Sequence, residues 1–357
     1  HYTQTRIATI DSFPVFFIIL SYLCMARYLM MDHCGVPALA AAQKPRVLTR
    51  PFLRTLVPLA LCGLFMGLGI ASKWIGIYSA VGLALLFFTS CYRQYRTGLT
   101  AYEADLDGLS EEQGARVRWA REITLKRILV TCAFCVLFFV AVPAVIYYLS
   151  YIPYLSPTGP VTLKRIIAAQ ESMLSYHSTP GLGMDHPFQS PWWQWPFILK
   201  PMWYCQDQFE PAGYASTIMC MGNPVVFYAG AVCMAACMLL LIGKFVRVRR
   251  DGVSLRHGDG DLSYGVLAVG FCAQYLPWVL VPRSMYMYHY FASVPFIILA
   301  TCCVFGLIER PRLRRGLMIG FVALAAVAFV LFFPYASGVL TPTGWLDAMK
   351  WFSRLYY

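Results

Sequence analysis

Charge is scarce in this 357-residue sequence: 13% of its residues are Asp, Glu, Lys or Arg, against about 25% in a soluble chain. With 59% hydrophobic residues and a mean hydropathy of +0.58, that scarcity excludes an ordinary soluble domain. Acidic groups are the rarest: 17 carboxylates face 29 Lys and Arg, giving a formal charge of +12. The basic residues cluster in short connections between apolar blocks, so they read as a topology signal and no nucleic-acid partner is expected. GxSxG, HExxH and Walker patterns are all missing, which removes the hydrolase, zinc-protease and phosphate-loop readings that depend on them. The thirteen cysteines form no framework. Most, such as Cys62, Cys233, Cys237, Cys302 and Cys303, lie inside apolar blocks and behave as small hydrophobes. Cys132 and Cys135 are spaced CxxC without a second pair, so no metal site is expected. Cys205 and Cys220 lie in or beside a central polar loop, and their pairing is left open. The chain opens at His1 with no initiator Met, signal peptide or basic leader, so the natural protein is expected to continue upstream.

What is present is a set of apolar blocks near the length of a bilayer crossing, about 20 residues. Eight spanning helices are predicted: Ala8–Met31, Leu56–Ala71, Ile75–Cys91, Ile128–Leu149, Asn223–Leu241, Leu262–Leu280, Met287–Ile308 and Leu317–Phe333. Gly63, Gly67 and Gly69 give the second a small-residue face for close packing. Asn223-Pro224 caps the fifth. Tyr92–Arg127 mixes both signs of charge and reads as a solvated helical loop, and Pro334–Tyr357 as an aromatic, amphipathic tail. The fold class is therefore an all-α polytopic membrane protein with one long outer loop. Three regions are expected: helices one to four over 1–149, the loop over 150–221, and a four-helix module over 222–357.

Within the loop, Val161–Tyr176 carries Leu163, Ile166, Ile167, Met173 and Leu174 at helical spacing, and predicts an amphipathic helix on the membrane surface. After it, Thr179–Tyr204 is too rich in Pro and Gly for a long helix and too polar to cross a bilayer. The connections carrying Lys44, Arg46, Arg50 and Arg54, the segment 92–127, the loop with Lys244 to Arg256, and ERPRLRR after Ile308 hold most of the basic residues. Eight helices put all four on one face by alternation, the cytoplasmic one. The long loop, the Lys73 turn and the Arg283 turn then share the opposite face.

That face gathers Arg6 and Asp11, Lys73, Arg283 and His289, and from the loop His177, Asp185, His186, Gln189 and Lys200. Three cations from distant parts of the chain suggest an anion, and a lipid phosphate at headgroup depth fits. Plainer readings stand beside this one. Arg6 and Asp11 are close enough in sequence to pair, Lys73 beside Trp74 is placed to snorkel, Arg283 sits in a turn, and His289 opens a helix among tyrosines. Trp192, Trp193, Trp195, Trp203 and Tyr204 fit an interfacial belt or a sugar-stacking surface. Transfer of a sugar from a lipid phosphate also needs a carboxylate base. Asp11, Asp185 and Glu210 are the candidates, and none has a distinguishing pattern.

Five blocks carry a resemblance: QTRIATID at Gln4–Asp11, ASKWIGIYS at Ala71–Ser79, HPFQSPWWQWPFILKPMWYC at His186–Cys205, GNPVVFY at Gly222–Tyr228, and QYLPWVLVPRSMYMYHYFASVPF at Gln274–Phe296. Together they resemble the bacterial protein O-mannosyltransferases, integral-membrane enzymes of the C-type glycosyltransferase fold. The resemblance implies eleven helices, with the first three and the catalytic acid upstream of His1, so this piece alone is expected to be inactive. It implies a polyprenyl-phosphate-mannose donor, a secreted protein acceptor and an extracytoplasmic active face on the bacterial cell membrane. It assigns Arg6 and Lys73 to the lipid-phosphate environment and His186, Gln189 and Trp192 to the outer face of the site. The remaining candidates are Arg283 beside the phosphate, and Asp11, Trp193 and His289 on the outer face. Whether a divalent metal takes part stays open. Other functions open to such a chain are transfer of another sugar or to a lipid or glycan, transport of a lipid-linked sugar, and a scaffold. A transporter predicts internal repeats and broken mid-membrane helices, which are not visible.

Overall fold

The computed structural model describes residues 2–7, 9–31, 46–103, 111–207, 210–251 and 259–351. Lys44, Arg256 and residues 104–110 of the charged segment lie outside them. In chain order the helices are α1 (Tyr2–Arg6), α2 (Ser12–Leu29), α3 (Arg50–Ser72), α4 (Gly76–Glu103), α5 (Glu111–Val136), α6 (Val142–Ser150), α7 (Ile152–Leu155), α8 (Leu163–Ser178), α9 (Pro224–Asp251), α10 (Asp259–Tyr275), α11 (Val294–Gly306), α12 (Pro311–Ser337) and α13 (Thr343–Ala348). A π-helical turn, Leu137–Ala141, joins α5 to α6, and 3-10 turns cover Trp192–Phe197, Leu276–Leu280 and Met287–Ser293. Four short strands are β1 (Met202–Gln206), β2 (Tyr214–Ala215), β3 (Thr217–Cys220) and β4 (Thr341–Pro342).

Among the described residues, eight helical segments are long and apolar enough to cross a membrane, in the places the apolar blocks predict. This is a multi-pass membrane protein. The boundaries differ where polar residues continue a helix. Thr49 caps α3, its Oγ1 accepting from the Phe52 N–H at 3.4 Å, so the helix starts at Arg50 rather than Leu56. The helix α9 runs past Leu241 to Asp251. Likewise α12 continues through Pro334, expected to open the tail, and ends at Ser337 with Gly338 in the left-handed region. The amphipathic helix appears as α8, capped by the Thr162 side chain, with Leu163, Ile167 and Leu174 exposed and Ile166 buried.

The chain divides into two compact units, one of His1–Val15 with Pro160–Tyr357 and one of Phe16–Gly159. In the second, α3 packs on the π turn and α6 through its glycines. A Cβ on Gly63 would collide with the Phe138 carbonyl oxygen, and one on Gly67 would lie 3.0 Å from Pro143 Cα. The small-residue face expected of this helix is thus a backbone-to-backbone seam. Gly63→Ala is therefore expected to cost about 1–3 kcal/mol. A fall in the detergent-solubilised protein's thermal midpoint checks it, and an unchanged midpoint would show the seam has slack.

In the first unit, α9 and α11 pack closely, with a Gly230 Cβ reaching within 2.9 Å of Ile297. Asn223 caps α9, its Oδ1 accepting from the Val225 N–H at 3.1 Å while its Nδ2 donates to Ala325 O of α12 at 2.8 Å. A small lobe forms around Ala215, Met219, Phe332, Tyr335 and Leu346. There β1 pairs antiparallel with β3 and β2 with β4. The strands are two to five residues long, too short to show an alternation in the sequence. From α1, Thr3 Oγ1 lies 3.2 Å from both Met219 O and Ala336 O, fixing α1 to β3 and to the end of α12.

Candidate functional site

The first unit assembles a polar cluster from segments far apart in sequence. Its floor is a pair of loops joined by backbone hydrogen bonds: Gly181 N to Pro282 O at 3.1 Å, Ser284 N to Leu182 O at 2.9 Å, and Ser190 N to Met285 O at 2.8 Å. Gly183 permits this approach. Its φ is +70°, and a Cβ there would sit 2.7 Å from Ser284 Oγ. The Pro- and Gly-rich stretch of the long loop is therefore docked against the Arg283 turn.

Arg283 stands on this floor. Its guanidinium lies over the Tyr176 ring of α8, 5.7 Å from the centroid. Its Nε is buried and has no hydrogen-bond partner among the described residues. The Tyr288 ring stacks on Tyr286 at 5.7 Å. Asp11, just ahead of α2, is buried at 7% exposure. His186 meets Tyr286 edge-to-face at 5.1 Å, and its Nδ1 accepts from the Phe188 N–H at 3.2 Å. Gln189 follows in the same turn, its N–H bonded to His186 O at 3.0 Å.

His289 is built into an aromatic core. It is 5% exposed, with ring centroids of Trp278 at 4.2 Å, Tyr288 at 4.3 Å and Trp195 at 6.0 Å. Its Nδ1 accepts from the Tyr286 N–H at 3.1 Å. Trp192 accepts from Tyr275 Oη through its carbonyl at 2.9 Å, whereas Trp193 is 49% exposed. Arg6 is turned toward the end of α12: it bonds Tyr2 Oη and, at 3.4 Å, Ser337 O. Lys73 belongs to the second unit, where its N–H caps α3 by donating to Gly69 O at 3.1 Å. So Arg283, His186 and Gln189 gather around the docked loops, Arg6 turns to the end of α12 in the same unit, and Lys73 belongs to the second unit.

Selecting residues by charge overlooked the neutral members of this cluster. Gln4 Nε2 donates to Tyr204 Oη at 3.0 Å and lies 3.5 Å from Cys220 Sγ, while its Oε1 accepts from Thr9 Oγ1 at 3.0 Å. Tyr286 and Tyr288 are the others, while Tyr204 is among the aromatics that the sequence points to. Their signal, membership of the resembling blocks, is diluted by the many aromatics around them. Burial holds the Tyr204 phenol well above its ordinary range. Cys205 and Cys220 are free, and they face Ile218 and Met202 rather than each other.

Burial pushes the Cys220 thiol up to about 11, against a partial offset from its hydrogen bonds with Tyr204 and Gln4. A folded-state value above the unfolded one, about 8.5, means that folding favours the protonated thiol. That contribution is whole below the unfolded value and is lost as pH rises toward 11. The thermal midpoint should therefore fall across this window less steeply in Cys220→Ala than in the parent. Equal slopes would show that the thiol contributes nothing.

Comparison with known proteins places this architecture. Residues 162–355 match the model of the C-terminal four TMM region of protein-O-mannosyltransferase. The polyprenol-phosphate-mannose–protein mannosyltransferase of Mycobacterium tuberculosis is 24% identical over 95% of this chain and 65% of its own length. That of Mycolicibacterium smegmatis is 25% identical over 79% of this chain and 55% of its own. This chain thus spans about two thirds or less of the curated relatives it matches. The structure of the Saccharomyces cerevisiae protein O-mannosyltransferase Pmt1–Pmt2 complex bound to the sugar donor superposes with a TM-score of 0.67 at 10% identity, over 98% of this chain and 80% of that one. The fold is shared at that distance, and the matched region covers more than half of the sequence. The chain belongs to the protein O-mannosyltransferase family.

Proposed function

We propose that the protein transfers mannose from a polyprenyl-phosphate-mannose donor to Ser or Thr hydroxyls of secreted proteins, at the outer face of the bacterial cell membrane. The acceptor oxygen attacks the anomeric carbon, the bond from that carbon to the phosphate oxygen breaks, and the lipid phosphate leaves with the electron pair. The hydroxyl proton passes to a carboxylate base, which the resemblance puts upstream of His1. Arg283 holds the leaving phosphate. The observation that carries this reading is its guanidinium, anchored on Tyr176 with a buried Nε open for a further bond, in a chain whose relatives are named for this donor. A planar guanidinium suits phosphate oxygens in pairs. Arg6 and Lys73 keep the phosphate-environment role that the resemblance gives them.

The test is an assay of the full-length natural protein in membranes with labelled polyprenyl-phosphate-mannose and a Ser/Thr-rich secreted acceptor. Label moving to the acceptor supports the proposal. Label moving only to lipid or glycan, or from another lipid-linked sugar only, replaces it with one of the alternatives.

A further inference from the structure

Helix α8 has three faces. At about 100° per residue, Ile166, Ala169, Met173 and His177 fall on one side and are buried or half-buried. Lys164, Ala168, Ser172 and Ser175 fall on a second side, exposed and mostly polar. Leu163, Ile167 and Leu174 fall on a third, and all three are exposed. The centres of the faces lie roughly a third of a turn apart. A helix lying on a protein in water needs two faces, and an uncovered apolar third one fits the surface of a bilayer. Chain order agrees. The membrane-spanning stretch Glu122–Thr158 ends five residues ahead of Leu163. Five residues reach at most about 18 Å, so α8 starts near the membrane surface. Lys164, on the flank of the apolar stripe, is placed for lipid phosphates at that depth.

The far end of α8 leads to Arg283. Tyr176, in the last turn, lies under the guanidinium at 5.7 Å from the ring centroid. Ser178 ends the helix, and Gly181, three residues on, donates to Pro282 O at 3.1 Å. One helix thus joins the apolar stripe to the ring beneath Arg283 and to the first bond of the docked loops. We propose that the outer leaflet of the bilayer covers Leu163, Ile167 and Leu174, and that α8, seated there, holds Tyr176 and the docked loops in place around Arg283. Lipid contact is then a positioning element of the site. Its effect on donor binding rests on the proposed phosphate role of Arg283; the seat itself does not.

The test uses the full-length natural protein in nanodiscs containing a phospholipid with a photoactivatable diazirine on its acyl chain. Mass spectrometry should find the label on Leu163, Ile167 and Leu174 at least about fivefold over Ser172 and Ser175. Label absent from the stripe, or equal on both faces, overturns the proposal, whether another segment, a second copy or a partner protein covers the stripe. The second arm replaces the stripe, Leu163→Ser with Ile167→Ser and Leu174→Ser, and uses Ile167→Ser alone if the triple variant does not fold. Without ligand, hydrogen exchange in the peptide covering 282–290 should quicken by about fivefold. The Kd for polyprenyl phosphate should rise by about fivefold as well, and by less than about twofold when the same change is made in Tyr176→Ala. Unchanged exchange at 282–290 in a variant that has lost the lipid label refutes the positioning role. If exchange responds but neither the stripe variant nor Arg283→Gln alters binding of polyprenyl phosphate, the lipid seat stands and the phosphate reading falls.

Discussion

Arg283→Ala should lower mannosyl transfer by about a hundredfold to a thousandfold, the effect of removing one donor aimed at developing negative charge. The charge that develops here is on the leaving phosphate, and three features prepare Arg283 to receive it. The docked loops fix its backbone, with Ser284 N bonded to Leu182 O at 2.9 Å on the adjoining residue. Tyr176 supports the guanidinium face. The buried Nε has no hydrogen-bond partner among the described residues, so a bound anion would satisfy it without breaking an existing bond. Arg283→Lys should recover only part of the rate, because an ammonium is a point charge without the fork. The loss should appear in the rate at saturating donor as well as in KM, since the interaction strengthens as the bond breaks. Transfer within about threefold of the parent in Arg283→Ala, against the expected effect of such a donor, would remove the residue from the mechanism.

The second large effect concerns stability and lies in the other unit. Arg127 is only 6% exposed. Its Nε donates to Val47 O at 2.9 Å, and its Nη2 to Arg46 O at 3.1 Å and Thr49 Oγ1 at 3.2 Å. Its guanidinium also lies 5.2 Å from the Phe52 ring centroid. One side chain on α5 thereby holds the approach to α3, including the threonine that caps it. Hydrogen bonds from a charged donor contribute about 1.5–3 kcal/mol each. Arg127→Ala should therefore cost about 3–5 kcal/mol, less than the sum because the freed carbonyls recover water. Arg127→Lys cannot reach three acceptors from one atom and should recover less than half. Thermal unfolding in detergent, with limited proteolysis near Arg46, reads this directly. A midpoint within about 2 °C of the parent, which for a chain of this length corresponds to about 1–1.5 kcal/mol, would show that the clamp contributes far less than expected.

Much of this was legible in the sequence because a bilayer imposes strong rules. Apolar blocks near spanning length, alternated with basic connections, located all eight spans, and Asn223 and Gly63 announced a cap and a packing seam. Boundaries were less legible. Polar residues extend α3 and α9, and Pro334 sits inside α12 although proline usually ends a helix. The lobe joining β2 to β4 pairs Tyr214 with Pro342, a contact between residues more than a hundred positions apart that no local pattern encodes. The candidate cluster was legible in Arg283 and His186, which the structure brings to the docked loops. It was not legible in Gln4, Tyr286 and Tyr288, which tertiary placement alone sets apart; of the two readings open for His289, its ring, enclosed by Trp278, Tyr288 and Trp195, favours packing.

The most direct measurement is hydrogen–deuterium exchange on the full-length natural protein in nanodiscs, with and without polyprenyl-phosphate-mannose. Donor binding at the polar cluster predicts slowed exchange in peptides covering Gln4–Asp11, 181–190 and 282–290. Slowed exchange confined to other peptides, with these three unchanged at saturating donor, would contradict the account.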